Sequence, residues 1–386
     1  MDPSVPPPTV TSPQSKAARY GVWHGPKVFL LWMAMATGAI TLSVLLVLMV
    51  LALGGYPALG ILHRWIIGAA GNRFNWAASV ADACPLLLTG LAAGVAFRSG
   101  VLNIGAQGQF LLGALVSVAL TTRFIFPGPP WCVMVEAMAA ASVAGGMWAL
   151  LASVLERYRG VPIVLSTILL NFVALYLVRA ALHGPLQAAD TSAPQSPQLK
   201  IIYWLPILIA NTDFHLGILL AFAVAVALAV VLGRTNFGFE LLITGLNPRV
   251  ARLVGMPVSR RQFAIMFLSG CCAGLGGAVQ VLGVTHFMLG NFGNYGYTGI
   301  AVALLGRLNP IGIAVAAVFF GMLDTGARFV EESSLALPHQ MANVVKGVII
   351  LAMLVASAWM MRRGSRDQSP EAGEPPTPVD PQQVQS

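Results

Sequence analysis

Residues 234–262 read RTNFGFELLITGLNPRVARLVGMPVSRRQ, and strongly apolar runs flank them on both sides. Five arginines fall in this stretch: Arg234, Arg249, Arg252, Arg260 and Arg261. Asn247 to Leu253 predicts a short helix. Asn247 suits the N-cap, Pro248 the first helical position, and Gly255-Met256-Pro257 terminates it. A short basic helix held between two membrane spans is a docking element for something soluble. A plain positive-inside loop would need the arginines but not the helix.

The surrounding composition fixes the class. The chain has 386 residues, 57% hydrophobic and 9% charged, with a mean hydropathy of +0.77. Soluble domains carry roughly a quarter charged residues, so this is a polytopic, all-α membrane protein. Apolar runs fall at 28–53, 83–98, 104–122, 131–154, 162–182, 215–233, 263–285, 296–306, 310–326 and 342–361, about ten transmembrane helices. The runs 83–98, 296–306 and 310–326 are short and broken by Gly, Pro or Asn, which reads as discontinuous or re-entrant helices. Residues 1–24 and 364–386 are Pro-rich polar tails expected to be disordered, leaving 25–363 as the membrane domain.

The net charge of +8 is a matter of topology, not of nucleic-acid binding. With the N-terminus inside, 15 of the 22 Lys and Arg residues fall on the cytoplasmic side, six outside, and Lys346 within a span. The asymmetry favours N-in and C-in, with 54–82 and 183–214 outside and 234–262 inside.

Enzyme chemistry is scarce. None of the four lysines ends a Gly-x-x-x-x-Gly-Lys run, so ATP hydrolysis by a phosphate-cradling loop is excluded. The six histidines show no His-x-x-x-His pairing, and the four cysteines no metal or disulfide spacing. Ser269 lies in Phe-Leu-Ser-Gly, outside a nucleophile elbow. No cofactor and no metal are expected.

Two further stretches interrupt the apolar pattern. Residues 97–110, FRSGVLNIGAQGQF, hold three glycines and the amides Asn103, Gln107 and Gln109. They suit either helix-to-helix bonding or a broken helix beside a transport path. Residues 290–310, GNFGNYGYTGIAVALLGRLNP, offer Asn291, Asn294, Tyr295, Tyr297 and Thr298. They suit an interfacial aromatic belt or a gate for a polar, ring-bearing solute. Asn171 and Gln280 sit in apolar helices, and Glu136, Asp324 and Lys346 are the embedded ionisable groups.

Together the three stretches resemble the permease subunits of ABC importers, nearest the nucleoside and simple-sugar branch, which is related to ribose and branched-chain amino-acid permeases. Residues 97–109 are similar to that family's Asn-Ile-Gly-x-Glu-Gly-Gln region, with Gln107 where Glu is common. Residues 245–256 resemble its coupling segment, with Val250 in place of an Ala. Residues 296–307 resemble its Gly-Tyr-x-Gly-Ile-Ala-Val-Ala-Leu-Leu-Gly motif. The resemblance implies a multi-pass subunit of a bacterial plasma (inner) membrane importer. A second permease subunit, an ABC ATPase subunit and an extracytoplasmic solute-binding protein would complete it. Gly245, Asn247, Pro248, Arg249, Arg252 and Gly255 would engage the ATPase. Asn103, Gln107, Gln109, Asn171, Gln280, Asn291, Tyr295, Tyr297, Thr298 and Lys346 are the candidates for the path of a small polar solute, a nucleoside first. A ribose-like sugar or branched-chain amino acid is the alternative within the superfamily. An ion-coupled secondary transporter is the alternative outside it, and that would need mid-membrane carboxylates.

Overall fold

The computed structural model describes residues 41, 44–125, 127–290, 292–333 and 338–366. The tails, residues 28–40 of the span read over 28–53, and Asn291 lie outside these residues, positions 364–366 of the C-terminal tail excepted. The helices run α1 Val44–Leu53, α2 Ala58–Ala70, α3 Arg73–Arg98, α4 Ala106–Thr122, α5 Pro130–Arg159, α6 Ile163–Leu182 and α7 Leu216–Arg234. They continue with α8 Asn236–Leu246, α9 Pro248–Leu253, α10 Val258–Gln280, α11 Tyr295–Leu305, α12 Pro310–Glu331 and α13 His339–Arg366. Strand-like pairing among the described residues is confined to isolated bridges, Gln195 to Leu289 and Ile207 to His215.

Six of these helices are long and apolar enough to cross a membrane: α3, α5, α6, α7, α10 with its π-helical end, and α12. The chain is therefore an all-helical, multi-pass membrane protein. Other sequence-read spans fall on shorter apolar helices, α4 and α11 among them.

Two expectations need correction. The run 83–98 is not a short helix but the second part of α3, which is 26 residues long and contains Pro85. The run 310–326 likewise belongs to the 22-residue α12. In both cases polar residues within the helix but beyond the run, Asn75, Ser79 and Asp82 in α3 and Arg328 in α12, lowered the local hydropathy. Their partners lie on other elements, so the helix continues where the apolar run does not. Only 296–306 is short as read, an 11-residue α11.

Helix α3 forms the axis of the bundle, buried without a break from Ala81 to Ala96. Helix α10 packs beside it through glycines. A methyl at Gly274 would lie 2.3 Å from the Ala141 carbonyl oxygen, and one at Gly277 would lie 2.2 Å from that of Phe110. Backbones of α10, α5 and α4 therefore touch, the close approach that small residues permit in lipid.

The connections gather at two ends. At one, Gln262 donates to Glu156, and Arg261 forms an ion pair with Glu240 at 2.5 Å without hydrogen-bond geometry. At the other, Arg123 donates to the Gln187 carbonyl at 3.3 Å, and Ser196 and Met288 exchange hydrogen bonds of 2.9 Å.

Candidate functional site

The segment between α7 and α10 is built from local capping. Thr235 accepts from Gly238 N at 3.2 Å and starts α8. Asn247 accepts from Arg249 N at 3.0 Å and Val250 N at 3.2 Å, starting α9 with Pro248 in its first turn. The Gly255 turn has φ +79°, which favours glycine. This is the short capped helix expected from the sequence. Its sole buried residue is Ala251. Arg249 and Arg252 are exposed, and so are Leu246, Val250, Val254 and Leu253, the last by 86%. The open side of this helix is thus both basic and aliphatic.

The amides lie deep in the bundle and bond one another's elements. Asn103 Nδ2 donates to Ser269 Oγ at 2.8 Å and to Gln109 Oε1 at 3.1 Å. Its Oδ1 accepts from Gly105 N at 2.8 Å, and Ser269 donates in turn to the Ala92 carbonyl of α3 at 2.7 Å. Asn171 Oδ1 accepts from Gly108 N at 2.8 Å. Its Nδ2 donates to the Ile104 carbonyl at 3.0 Å and to the Tyr297 hydroxyl at 3.2 Å. Ser269 sits 11 residues into α10, roughly 16 Å along it. The 99–105 segment therefore dips from the bundle end to the interior.

Gln107 works at a second junction. Its Nε2 donates to the Gly293 carbonyl at 2.7 Å and its Oε1 accepts from Gly296 N at 2.8 Å. It thereby satisfies a first-turn N–H of α11, which no residue of α11 itself caps. An amide both donates and accepts, so Gln serves here where an ionised Glu would lose the bond to Gly293. Tyr295 holds the far side. Its carbonyl accepts from Thr89 at 3.0 Å and its hydroxyl from Gln280 at 3.1 Å.

The structure thus brings Asn103, Gln107, Gln109, Asn171, Gln280, Tyr295 and Tyr297 into one interior region, with each amide bonded to protein but Gln280 Oε1 left without a partner among the described residues. Tyr297 is the exposed member, at 41%, with Thr298 half-buried beside it. Lys346 stands apart, bonded to Asp324 at 3.0 Å across α13 and α12. Glu136 is exposed near the start of α5.

Sequence reasoning missed Asp82 and Arg328, which it placed in outer connections. Asp82 is buried in α3, ion-paired with Arg328 and bonded to Thr325 at 2.6 Å. It also passed over Gly100, whose backbone meets that of Gly245.

Comparison with known proteins now decides the family. The branched-chain amino acid transport system / permease component family matches residues 75–355. The chain belongs to that family. This permease is 33% identical to the guanosine ABC transporter permease protein NupP of Bacillus subtilis over 303 residues, 76% of this chain and 84% of the relative. It is 32% identical to the glucose ABC transporter permease protein TsgB13 of Haloferax volcanii over 84% of this chain and 88% of the relative. It is 29% identical to the nucleoside ABC transporter permease protein NupB of Lactococcus lactis over 82% and 89%. The permease is a transport component, not an enzyme, and works within an ABC transporter.

Proposed function

We propose that this permease forms half of the solute path of an importer in a bacterial plasma membrane, with a nucleoside as cargo. A second permease subunit forms the other half, an ABC ATPase subunit drives it, and an extracytoplasmic binding protein delivers the solute. Helix α9 is the observation that carries the reading. It is capped, basic and aliphatic on its open side, and it stands at the end where the bundle carries most arginines. On the positive-inside rule that end is cytoplasmic, where an ATPase would dock. Its displacement on ATP binding would switch the path between outward-open and inward-open arrangements.

The cargo assignment rests on two supports. Relatives of similar identity are named for guanosine and for nucleosides. Tyr297 offers an exposed phenol ring at the border of the interior amide region, a surface on which a flat base can stack. A permease must release what it admits, so such contacts stay weak. The glucose relative supports a simple sugar as the second reading.

Two measurements on the reconstituted importer test the proposal. Arg252→Glu should insert normally but abolish uptake and solute-stimulated ATP hydrolysis. Full transport by the inserted variant would overturn the docking role. Radiolabelled uptake with nucleosides, pentoses and branched-chain amino acids should favour a nucleoside. Transport of ribose or leucine, with no nucleoside carried or competing, would overturn the cargo.

A further inference from the structure

Gly100 and Gly245 touch backbone to backbone. A methyl at Gly245 would lie 2.7 Å from the Ser99 carbonyl carbon and 2.8 Å from the Arg98 carbonyl oxygen. A methyl at Gly100 would lie 2.9 Å from the Gly245 Cα. Gly100 also has φ +75°, a conformation that keeps a side chain out. Gly245 lies in the last turn of α8, two residues before the Asn247 cap of α9.

We propose that residues 99–105 are the transmission element of this permease. Through the Gly100–Gly245 contact they would carry displacement of the α8–α9 segment to Asn171 and Tyr297. This deepens the reading of α9 as the ATPase-docking helix and rests on it. Gly100, Gly245 and Asn171 are then positioning residues for transport.

A contact between two side chains can absorb a shift by changing rotamer. A contact between two glycines has no such slack, and packed interiors compress little. The segment that Gly245 bears on is held at its other end by directional bonds. Asn103 ties it to Ser269 at 2.8 Å, and the Ile104 carbonyl ties it to Asn171 at 3.0 Å. Asn171 reaches the Tyr297 hydroxyl at 3.2 Å through the same nitrogen. One stiff contact, one short chain segment and two hydrogen bonds therefore connect the docking segment with the exposed ring. The competing route runs through the Gly255 turn into α10 and would bypass residues 99–105.

The test uses the intact importer. Hydrogen exchange of the wild-type complex, with and without ATP, should change over 236–253 and over 99–109 together. A response confined to 236–253 would overturn the proposal. Gly245→Ala and Asn171→Ala should each lower solute imported per ATP hydrolysed by at least ~5-fold, the lower end of a typical coupling effect. An unchanged ratio in either recovered variant would overturn it. If Gly245→Ala is not recovered from the membrane, Asn171→Ala and the exchange measurement decide. Arg252→Glu separates the two levels. Loss of transport in Arg252→Glu with a wild-type ratio in Asn171→Ala would leave α9 as the docking helix and remove the transmission element. Full transport in Arg252→Glu would remove the docking reading itself.

Discussion

Arg328 donates to Asp82 across 246 residues of sequence, and Thr325 donates to the same carboxylate oxygen at 2.6 Å. The pair fastens α12 to the axial α3. One turn of α12 away from Arg328, Asp324 holds Lys346 of α13. Charges of both signs thus balance within the bundle, as burial in lipid demands.

The first prediction follows from the unequal exposure of this pair. The Asp82 side chain is 9% exposed and that of Arg328 51%. Arg328→Ala strands a buried carboxylate and should cost about 2 kcal/mol, below the range for a fully buried pair because the guanidinium is half exposed. Asp82→Asn leaves a neutral group that still accepts from Thr325 and should cost less. Thermal unfolding in detergent would show the order. Greater loss in Asp82→Asn than in Arg328→Ala would contradict it.

The second prediction concerns orientation. Ser192, in the connection between α6 and α7, and Ser259, in the first turn of α10, are exposed at opposite ends of the bundle. With Cys84, Cys132, Cys271 and Cys272 replaced, single cysteines at these two serines should react with an impermeant thiol reagent from opposite sides. Ser192→Cys should label in intact cells and Ser259→Cys only after lysis. Labelling of both in intact cells would discard the N-in, C-in arrangement.

A third prediction concerns acid. His215 immediately precedes α7, is 1% exposed, and neither ring nitrogen has a partner among the described residues. Its ring lies against Gly217 and Gly283. His286 stacks on Trp204 at 3.6 Å, and Asp213 is the acid that acts on His286. Burial, reinforced by His286, pushes the His215 pKa down from 6.5 to about 4. The folded protein therefore refuses a proton that the unfolded chain accepts between those values. Stability contributed by neutral His215 is full above the unfolded pKa and falls as pH drops through this window. The unfolding temperature should decline from neutral pH to about pH 5, and His215→Phe should flatten the decline. An equal decline in both proteins would assign the effect elsewhere.

The sequence made α9 legible because its determinants are local. Asn247, Pro248 and Gly255 lie within a few residues of the helix they bound. Helix α3 was less legible. Ser79 donates to the Ala69 carbonyl at 2.7 Å, and Asp82 finds its partner in α12. A hydropathy window registers their polarity but not these distant bonds. The interior amides show the same limit. Their positions marked an interruption of the apolar pattern, while their partners, Ser269 and the backbone of residues 104, 108, 293 and 296, emerge only in three dimensions.

The bond pattern of Gln107 bears on how the chain is made. Helix α11 has 11 residues, about 16 Å of length against a hydrocarbon layer of about 30 Å. It is too short to be recognised alone as a spanning segment while it leaves the ribosome. Its first turn is closed by a side chain 189 residues earlier. A helix this short is held in the bundle by its neighbours, so loss of the Gln107 side chain would open its first turn.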